Sequence, residues 1–537
     1  MKSKFSLLSA LLIAILFNSC GKDDNLIIEP TLLVPTLSGF GVPPKSVGDD
    51  SFYLTPPISN SSGAFTYTSS NTAVATISDN TVTIVAEGTT SIIASQAAKG
   101  DFLAGDISAD FVVAPPIISG GSRNIYVSVN LGNDATADPF SPSTPFKTIQ
   151  AASNITMPGD VVNIMDGTYQ QPNTTDANHI ILDIKRSGAE GAYITYQPFP
   201  GAAPIIESKG QKWNAIIVNA SYIIVKDLTL YGDNQALSLA DAKAAEIDKR
   251  AGGTNWNLYS KFNTNGIDIS GSNNPHHVEI RGCTVHDFPG GGIGGADCDY
   301  ITIADNITYN NCWFGMWATS GISIFGPKNS DNTTGYKIKI IRNISYNNKP
   351  QVPYTSSASS KLSDGNGIII DANNGTQGKV VYTGRTLVEN NICYKNGGGG
   401  IHIFQAHRVD VINNTTFENE QVLDYANIDA LYSDDIKFIN NIAYAKSGGK
   451  ANDSFNNTNV TFDYNIYFTG SVKEGGSNSK SANPLFVDAA NGNFRLQSNS
   501  PAINAGTTNS ITGTTYDIVN NPRIKNGRTD CGAYEIN

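Results

Sequence analysis

The sequence predicts an all-β protein whose main domain is a right-handed parallel β-helix, a solenoid with three short strands in each coil of about 24 residues. A short sequence motif recurs, in which Asn precedes small or β-branched residues and then an aromatic residue. It occupies Asn306–Tyr309, Asn343–Tyr346, Asn391–Tyr394, Asn414–Phe417, Asn441–Tyr444 and Asn465–Tyr467. Successive Asn residues lie 37, 48, 23, 27 and 24 residues apart. A period in the twenties indicates stacked coils that bury their apolar sides against one another.

The recurring Asn is expected at the tight turn between the second and third strands of each coil. Asn tolerates the left-handed conformation that such a turn uses. Stacked on its equivalents, it would form an internal hydrogen-bonded ladder. The two long spacings predict polar insertions at 326–335 and 347–364. Insertions in a solenoid form loops on one face, so we expect function beside them.

Composition narrows the choice of partners. The chain has 51 Gly, 15% charged residues, a net charge of −11 and a pI near 5.0. This acidic balance argues against nucleic acid as a partner, and we expect a monomer. Five of the six Cys show no spacing typical of a zinc site. Cys283, Cys312 and Cys393 lie in or beside repeat strands and are expected in the core.

Residues 1–20 have the pattern of an export signal. Lys2 and Lys4 precede an apolar stretch from Phe5 to Phe17, which is too short to span a bilayer, and Asn18-Ser19-Cys20 follows. This ending resembles the lipobox of bacterial lipoproteins, which implies lipidation of Cys20, with residues 21–30 as a tether. The following Gly21–Asp24 resembles an acidic surface-export signal. We therefore expect an outer-membrane lipoprotein on the cell surface; a secreted or periplasmic protein is the alternative.

Residues 31–115 have a different sequence pattern, in which short runs of alternating apolar and polar residues predict strands joined by short turns. The stretch 68–94, TSSNTAVATISDNTVTIVAEGTTSIIA, resembles the bacterial Ig-like family, which implies a small β-sandwich. Residues 116–123 follow as a linker because they contain Pro116 and Gly120-Gly121. The β-helix domain would then occupy 124–537.

The two ends of the predicted solenoid have motifs of their own. Apolar residues at helical spacing in Pro145–Asn154 predict a helix that caps the open N-terminal end. The segment from Ile125 through this helix to PGDVVNIMDGTY resembles the entry module of β-helix polysaccharide lyases of the pectate-lyase superfamily. NPLF at 483–486, SPAINAG at 500–506 and DCGAYE at 530–535 resemble their closing module. The resemblance implies a carbohydrate-active protein with a polysaccharide as partner.

The repeat register predicts which side chains point outward from the first strand of each coil. Because side chains alternate along a strand, the residue between two inward Ile faces solvent. The first outward column contains Asp268, Gly294, Ser323, Ile369, His402 and Asp429. The next contains Ser270, Ala296, Phe325, Asp371, Phe404 and Leu431. Carboxylates, a His and aromatic rings on one face predict a glycan-binding groove, because sugars bind to aromatic faces and planar polar groups.

Candidate residues follow from these columns and the insertions. The catalytic candidates are Lys361, Asp364, Asp371, His402, Asp268, Asp429 and Arg408. The substrate-binding candidates are Trp313, Trp317, Phe325, Tyr354, Phe404 and His407. Asp364 and Asp371 stand at opposite ends of one strand, so we expect their backbones roughly 20 Å apart and each carboxyl paired with a neighbouring coil rather than with the other.

Three functions fit these residues. A lyase would cleave a uronic-acid-containing glycan by β-elimination, with Lys361, Arg408 or His402 as base or neutraliser and calcium held by Asp364 and Asp371. A glycoside hydrolase would use two carboxylates in one cleft, among them Asp268, Asp371 and Asp429. A surface glycan-binding protein would need neither acid nor base. The resemblance of the terminal modules favours the lyase.

Overall fold

The computed structural model describes residues 32–43, 45–46, 51–114, 122–170, 180–210, 212–356, 359–509 and 516–536. The predicted signal segment with Cys20, the tether 21–30 and most of the linker 116–123 lie outside the described residues. The chain divides into two compact units, Met1–Ile118 and Ser119–Asn537. Among the described residues, no helix is both long and apolar enough to cross a membrane.

The first unit consists of short, mainly antiparallel strands. A four-stranded sheet has the order Lys45–Ser46, Gly105–Ala114, Gly88–Gln96, Phe65–Ser69. A three-stranded sheet has the order Phe52–Tyr53, Thr81–Ile84, Ala75–Ser78, and a two-stranded sheet pairs Leu37–Ser38 with Ile58–Ser59. Val82 of the three-stranded sheet and Ile92 and Phe111 of the four-stranded sheet share one buried cluster. Two sheets with a common core form a small β-sandwich.

The second unit is a parallel β-helix built from three long sheets, here called A, B and C. Sheet A contains Leu182–Ile184, Asn214–Val218, Asn265–Ile269, Ile293–Ala296, Ile322–Phe325, Ile368–Asp371, Ile401–Phe404, Ile428–Leu431, Lys450–Phe455 and Ser471–Val472. Sheet B contains Asn124–Val127, Val161–Ile164, Ile194–Pro198, Ile223–Lys226, His276–Arg281, Asp299–Ala304, Tyr336–Ile341, Arg385–Glu389, His407–Ile412, Asp434–Ile439 and Thr458–Asp463. Sheet C contains Thr168–Tyr169, Ile205–Glu207, Thr229–Tyr231, Thr284–His286, Ile307–Tyr309, Ile344–Tyr346, Ile392–Tyr394, Thr415–Phe417, Ile442–Tyr444, Ile466–Phe468 and Lys480–Ser481. The predicted solenoid of three strands per coil is confirmed.

The interior of the solenoid is filled by stacked β-branched side chains. On sheet A, Ile322 pairs in register with Ile368, and Ile368 with Ile401; all are buried. Cys283, Cys312 and Cys393 are also buried, as predicted. Each coil buries apolar area against its neighbours, so every additional coil adds buried area and contributes to the stability of the solenoid.

The predicted Asn ladder is present between sheets B and C. The Asn391 side-chain amide donates to Oδ1 of Asn414 (2.9 Å) and to the carbonyl of Ile340 (2.8 Å). The same bonds join Asn306, Asn343, Asn391, Asn414, Asn441 and Asn465 in sequence. The left-handed conformation falls on the preceding residue, for example Asn390 at φ 57° and Asn413 at φ 55°. Our assignment of it to the ladder Asn was wrong, because that Asn turns its side chain inward to bond the next coil.

A second ladder, which the sequence analysis missed, runs between sheets C and A. It joins Asn311, Asn348, Asn396, Asn419 and Asn427 by side-chain amide bonds of 2.9–3.1 Å. Four of its members stand five residues after a member of the first ladder, so the signal was in the sequence. Two internal ladders fix the turns on either side of sheet C.

Among the described residues, the second unit contains three α-helices in addition to its three long sheets. Helix Ile149–Ser153 begins at the N-cap Thr148, whose hydroxyl accepts from the Ala151 amide. It is shorter than the predicted Pro145–Asn154 because Phe146 forms a β-bridge with Val127. Helices Leu239–Arg250 and Trp256–Lys261 lie in an insertion before a sheet A strand that the sequence analysis did not predict. Short 3₁₀ turns occupy Asn234–Ala236 and Ala489–Asn491.

The C-terminal segment packs along the outside of sheet C. Its antiparallel hairpin, Phe486–Asp488 with Asn493–Leu496, shares a buried cluster with the sheet C residues Ile442 and Ile466. The backbone amide of Ala533 donates to the Thr415 hydroxyl (2.9 Å). Sheet C therefore differs from sheet A, whose outer face is bordered by the long loops.

Candidate functional site

A cleft of about 480 Å³ lies on the outer face of sheet A. Strands of three successive coils form its floor, and the turns before and after them form its walls. Its lining residues are Trp317, Ala318, Ser323, Phe325, Tyr354, Ser363, Asp364, Ile369, Asp371, Gln377, His402, Phe404 and Tyr425. The cleft adjoins the 347–364 insertion, where the sequence analysis expected function.

The strand register confirms the first predicted outward column and, from Ala296 on, the second; Ser270 lies one residue beyond its strand, which ends at Ile269. Ile369, His402 and Asp429 are buried instead of facing solvent as predicted. Asp268, Gly294, Ser323, Ile369, His402 and Asp429 are successive partners along sheet A. Ala296, Phe325, Asp371, Phe404 and Leu431 form the second column. Neighbouring strands of a sheet lie about 4.8 Å apart, so side chains on adjacent coils are within contact distance.

Asp364 is held by a tight turn that ends the insertion. Asp364 and Gly365 both have positive φ, 62° and 69°. A Cβ on Gly365 would lie 2.1 Å from Cδ of Pro350, so only glycine fits here. The Gly365 amide donates to the Thr319 carbonyl (2.8 Å), and Ser363 Oγ lies 3.2 Å from Oδ1 of Asp364. This turn fixes the carboxyl of Asp364 at the cleft wall.

Both acidic residues of the cleft bind protons more tightly than usual. Burial raises the pKa of Asp364 to about 6, against the lowering effect of the nearby His402. Burial also raises the pKa of Asp371 to about 7, and the charge of Asp364 adds to this rise. The Gln377 amide donates to Oδ1 of Asp371 (2.9 Å), which leaves the other oxygen for a proton.

Asp364 and Asp371 line one cleft, which the expected separation of their backbones did not anticipate, and Asp371 also interacts with His402 of the adjacent coil, as predicted. The sheet A strand spans only Ile368–Asp371, and the residues before it turn back instead of extending it. Both carboxyls therefore line one cleft, and the charge of one raises the pKa of the other.

His402 is clamped at the centre of the cleft floor. Its Nδ1 donates to Oδ1 of Asp429 (2.5 Å), and both side chains are almost fully buried. Its ring stacks between Phe404 (5.7 Å, 14°) and Tyr425 (5.0 Å, 22°). Burial alone would lower the pKa of His402, but the charges of Asp429, Asp364 and Asp371 raise it above its ordinary value. The nearby carboxyls therefore favour the protonated form of His402.

An aromatic lobe borders the cleft at Trp317. The Trp317 ring contacts Trp213 (5.4 Å) and Tyr259 (6.4 Å) and stacks on Trp256 (6.5 Å, 23°). Helix Trp256–Lys261 of the unpredicted insertion supplies two of these rings. The insertion therefore serves to hold Trp317 at the cleft wall.

Asp268 lies in a smaller pocket of about 130 Å³ beside the cleft. The two spaces share Ala318, Ser323 and Phe325 as walls. Burial raises the pKa of Asp268, and the Ser270 hydroxyl donates to its Oδ2 (2.6 Å). Asp268 therefore faces the same groove as the two cleft carboxyls but does not line their cleft.

Six predicted site residues do not line the cleft: Asp268, Asp429, Lys361, His407, Arg408 and Trp313. Asp268 lies in the pocket beside it, and Asp429 is buried against His402. The Lys361 side chain is exposed, and its backbone carbonyl accepts from the Tyr354 amide (2.8 Å). His407 and Arg408 belong to sheet B because the chain turns after Phe404; His407 Nδ1 pairs with Asp434 (2.6 Å). Trp313 packs in the cluster under the helical insertion. The prediction that Lys361, His407, Arg408 and Trp313 line the groove was therefore wrong.

The sequence analysis missed Ser363, Gln377 and Tyr425. Gln377 lies in the loop between Ile368–Asp371 and Arg385–Glu389, and Tyr425 lies in the turn before Ile428–Leu431. An aromatic residue in a turn next to the outward columns was a usable signal for Tyr425. No periodic signal marked Gln377, because loops between coils vary in length.

The residues of the cleft do not form a full calcium site. Within the ranges that the structure describes, no cluster of three or more His, Cys, Asp or Glu is arranged to hold a metal ion. Asp364 and Asp371 offer fewer oxygen donors than the six to eight that calcium takes, and Gln377 already occupies one of them. We therefore assign no step to a metal.

Comparison with known proteins agrees with this architecture. Residues 214–381 match the family described as a right handed beta helix region. The chain is similar to the solved structure of the pectate lyase Pel9A, with 17% identity, a TM-score of 0.43, and coverage of 78% of this chain and 97% of that one. A rhamnogalacturonan lyase shares 14% identity at a TM-score of 0.36, with coverage of 68% and 91%.

A third similar structure is the family 28 exopolygalacturonase of Yersinia enterocolitica, with 14% identity, a TM-score of 0.36, and coverage of 73% and 79%. No curated protein sequence is significantly similar to the chain. The family match spans coils of all three sheets, from Asn214–Val218 to the loop after Ile368–Asp371. Together with the sheet order, it makes the main domain a right-handed parallel β-helix.

Proposed function

We propose that the protein is a carbohydrate-active enzyme that hydrolyses glycosidic bonds of a neutral polysaccharide. The observation that carries this proposal is the pair of carboxyls with raised pKa values, Asp364 and Asp371, in one cleft with aromatic walls. Hydrolysis of a glycoside requires two such groups, one protonated and one ionised. Aromatic rings such as Phe325 and Trp317 offer apolar faces to sugar rings.

The two carboxyls have different roles in this mechanism. Asp371 has the higher pKa, so it holds a proton near neutral pH and donates it to the leaving oxygen as the general acid. Asp364 ionises first and acts as the carboxylate that attacks the sugar or activates water. Because the groups interact, the two pKa values belong to the pair.

In this mechanism His402 and Asp429 affect the reaction through the charge states of Asp364 and Asp371. The positive charge of His402 favours the ionised form of Asp364, and the bond to Asp429 keeps the imidazole protonated and in place. His402 is therefore a positioning residue that keeps one carboxyl ionised while the other retains its proton.

The lining of the cleft favours hydrolysis over the predicted β-elimination. Elimination needs a base and a positive charge to neutralise the uronate carboxylate. No lysine or arginine is among the residues that line the cleft in the part of the chain that the structure describes. The basic side chain in the lining, His402, is turned to Asp429 by a 2.5 Å bond. The ionised carboxylate of Asp364 would repel a uronate. The lyase prediction therefore becomes the alternative, and calcium bound between the two carboxyls would be its requirement.

The test is incubation of the purified protein with neutral and uronic-acid polysaccharides, with and without a chelator. We expect new reducing ends from a neutral glycan, without the ultraviolet absorbance of an unsaturated product. Asp371→Asn and Asp364→Asn should each lower the rate about a thousandfold, because proton transfer contributes that much. Asp488→Asn, at an exposed carboxyl outside the cleft, is the matched control.

Other outcomes identify the other functions. A rise in absorbance that the chelator abolishes would establish calcium-dependent elimination. Retention on an immobilised glycan without any product would favour a surface glycan-binding protein. Either result would contradict the roles given to Asp364 and Asp371.

A further inference from the structure

Exposed aromatic side chains continue from the cleft along the solenoid, toward its C-terminal end. Phe404 lines the cleft, and in the register of sheet A its partners on the next two coils are Leu431 and Phe455. Tyr432 follows Leu431 directly. Tyr432 is 45% exposed and Phe455 52% exposed, although both are large aromatic residues. Exposed apolar side chains that adjoin one another often mark a binding site, whereas apolar side chains exposed singly are ordinary.

The three rings form one connected strip. The Tyr432 ring lies 5.9 Å from that of Phe404 and 5.4 Å from that of Phe455, at interplanar angles of 83° and 81°. Each contact is edge to face, so it covers the face of only one of the two rings. Tyr432 and Phe455 therefore retain ring surface that is free for a ligand, whereas Phe404 already stacks on His402 (5.7 Å, 14°).

The aromatic stack on sheet C has the opposite geometry. His286, Tyr309, Tyr346 and Tyr394 stack nearly parallel, with centroids 4.6–5.0 Å apart and interplanar angles of 2–11°. Both faces of the two central rings are covered by their neighbours. That stack is a structural ladder, whereas Tyr432 and Phe455 of the strip on sheet A leave ring surface exposed.

Polar groups accompany the strip. Asp453 pairs in register with Asp429, one column away from Phe455. Its carboxylate is one-third exposed and lies 3.7 Å from Nζ of Lys450. An aromatic surface beside a carboxylate suits the apolar faces and hydroxyl groups of a neutral sugar, and it disfavours an anionic one.

We propose that Phe404, Tyr432 and Phe455 form a track that binds further sugar units of the polysaccharide chain held in the cleft. Adjacent coils are about 4.8 Å apart, which is close to the length of one sugar residue, so the track accommodates two units beyond the cleft. The glycan chain then runs parallel to the solenoid axis across sheet A. The inference rests on the proposed function for its occupant, since the track continues the proposed catalytic cleft.

The track makes the enzyme selective for long chains. A substrate that extends from the cleft over Tyr432 and Phe455 gains contacts that a short oligosaccharide lacks. Tyr432→Ala/Phe455→Ala should therefore weaken binding of a polysaccharide about tenfold. Hydrolysis of a short oligosaccharide that fills only the cleft should change less than twofold, about the scatter expected for a surface substitution.

The experiment is affinity electrophoresis of the full chain through gels that contain xylan, galactomannan, arabinan or laminarin. We expect at least one glycan to retard the wild-type protein, and the double variant to lose most of that retardation. Tyr53→Ala removes a ring that is 76% exposed in the first unit, and it should leave retardation unchanged. Thermal unfolding confirms that the variants are folded, which is expected because both replaced rings are exposed.

Equal retardation of the double variant and the wild type would overturn the track, and so would the absence of retardation by every glycan. The result is separable from the hydrolysis test. Track-dependent retardation without hydrolysis would support the track and remove the proposed reaction. Hydrolysis with an unaffected double variant would retain the reaction and remove the track.

Discussion

Nδ1 of His402 lies 2.5 Å from Oδ1 of Asp429, across two adjacent coils of sheet A, and both side chains are nearly inaccessible to solvent. A buried ion pair costs desolvation energy, so it is weak evidence of a stabilising role. Protonated His402 places a positive charge beside the two carboxyls of the cleft. That charge lowers the pKa of Asp364 and Asp371, against the larger and opposite effect of their burial.

Replacement of His402 should move the pH profile of hydrolysis to higher pH. The cation lowers the pKa of both cleft carboxyls, so its loss in His402→Asn raises both pKa values, by about one unit. We expect both limbs of kcat/KM against pH to shift together. His407→Asn is the matched control because His407 pairs with Asp434 in the same way on sheet B. A profile that does not move in His402→Asn would contradict the assigned role.

The wild-type pH profile should be bell-shaped with an optimum between about 6 and 7. The rate rises as Asp364 loses its proton and falls as Asp371 loses its own. The two limbs report the pair and not single residues. The measurement is kcat/KM on a neutral glycan from acid to mildly alkaline pH. A rate that still rises above the second pKa would remove Asp371 as the acid.

The architecture of the solenoid could be predicted from the sequence because it depends on local, repeated signals. The period of the Asn motif located sheets B and C, and the alternation of Ile residues gave the outward columns of sheet A in the correct register. Both signals survive in each coil because each coil packs only on its neighbours. The second Asn ladder has the same periodicity, because four of its members stand five residues after members of the first ladder.

The site was harder to predict because turns and insertions determine it. Asp364 meets Asp371 only through a turn with two positive φ angles, and no rule of strand spacing describes that turn. Gln377 and Tyr425 come from connections of irregular length. Conversely, Arg408 was predicted at the groove, whereas the turn after Phe404 carries it onto sheet B.

Lipidation of Cys20 remains a prediction, and it has a direct test. Cleavage before Cys20 would remove the apolar segment, so membrane attachment should then depend on acyl chains at this residue. Cys20→Ala should abolish incorporation of labelled palmitate and release the protein from the outer-membrane fraction. Cys531→Ala, at a buried thiol of the C-terminal segment, is the control. Membrane attachment of Cys20→Ala without label would contradict the lipid anchor.

Replacement of the proposed acid should stabilise the fold at alkaline pH. The folded-state pKa of Asp371, about 7, lies above its ordinary value, so ionisation opposes folding as the pH rises through that range. Below the ordinary pKa of a carboxyl the effect vanishes, because Asp371 is then protonated in both states. Asp371→Asn should gain about 4 kcal/mol near pH 8, because the folded-state pKa of about 7 lies well above the ordinary value of 3.8, and nothing from this cause near pH 3. Thermal unfolding at the two pH values measures the difference, and a stabilisation that is equal at both would contradict it.

The Asn ladder should dominate the stability of the central coils. Asn391 accepts from the backbone and side-chain amides of Asn343 and donates to Asn414 and to the Ile340 carbonyl, all of them buried. Asn391→Ala leaves these partners unsatisfied in the interior, and it should cost about 3 kcal/mol. The exposed Asn478→Ala loses bonds to Asp463 that water replaces, so it should cost less than about 0.5 kcal/mol. Chemical denaturation of the two variants measures the difference, and similar costs would mean that the ladder stabilises no more than a surface bond. Because each ladder residue joins adjacent coils, the loss should lower the cooperativity of unfolding as well as its midpoint.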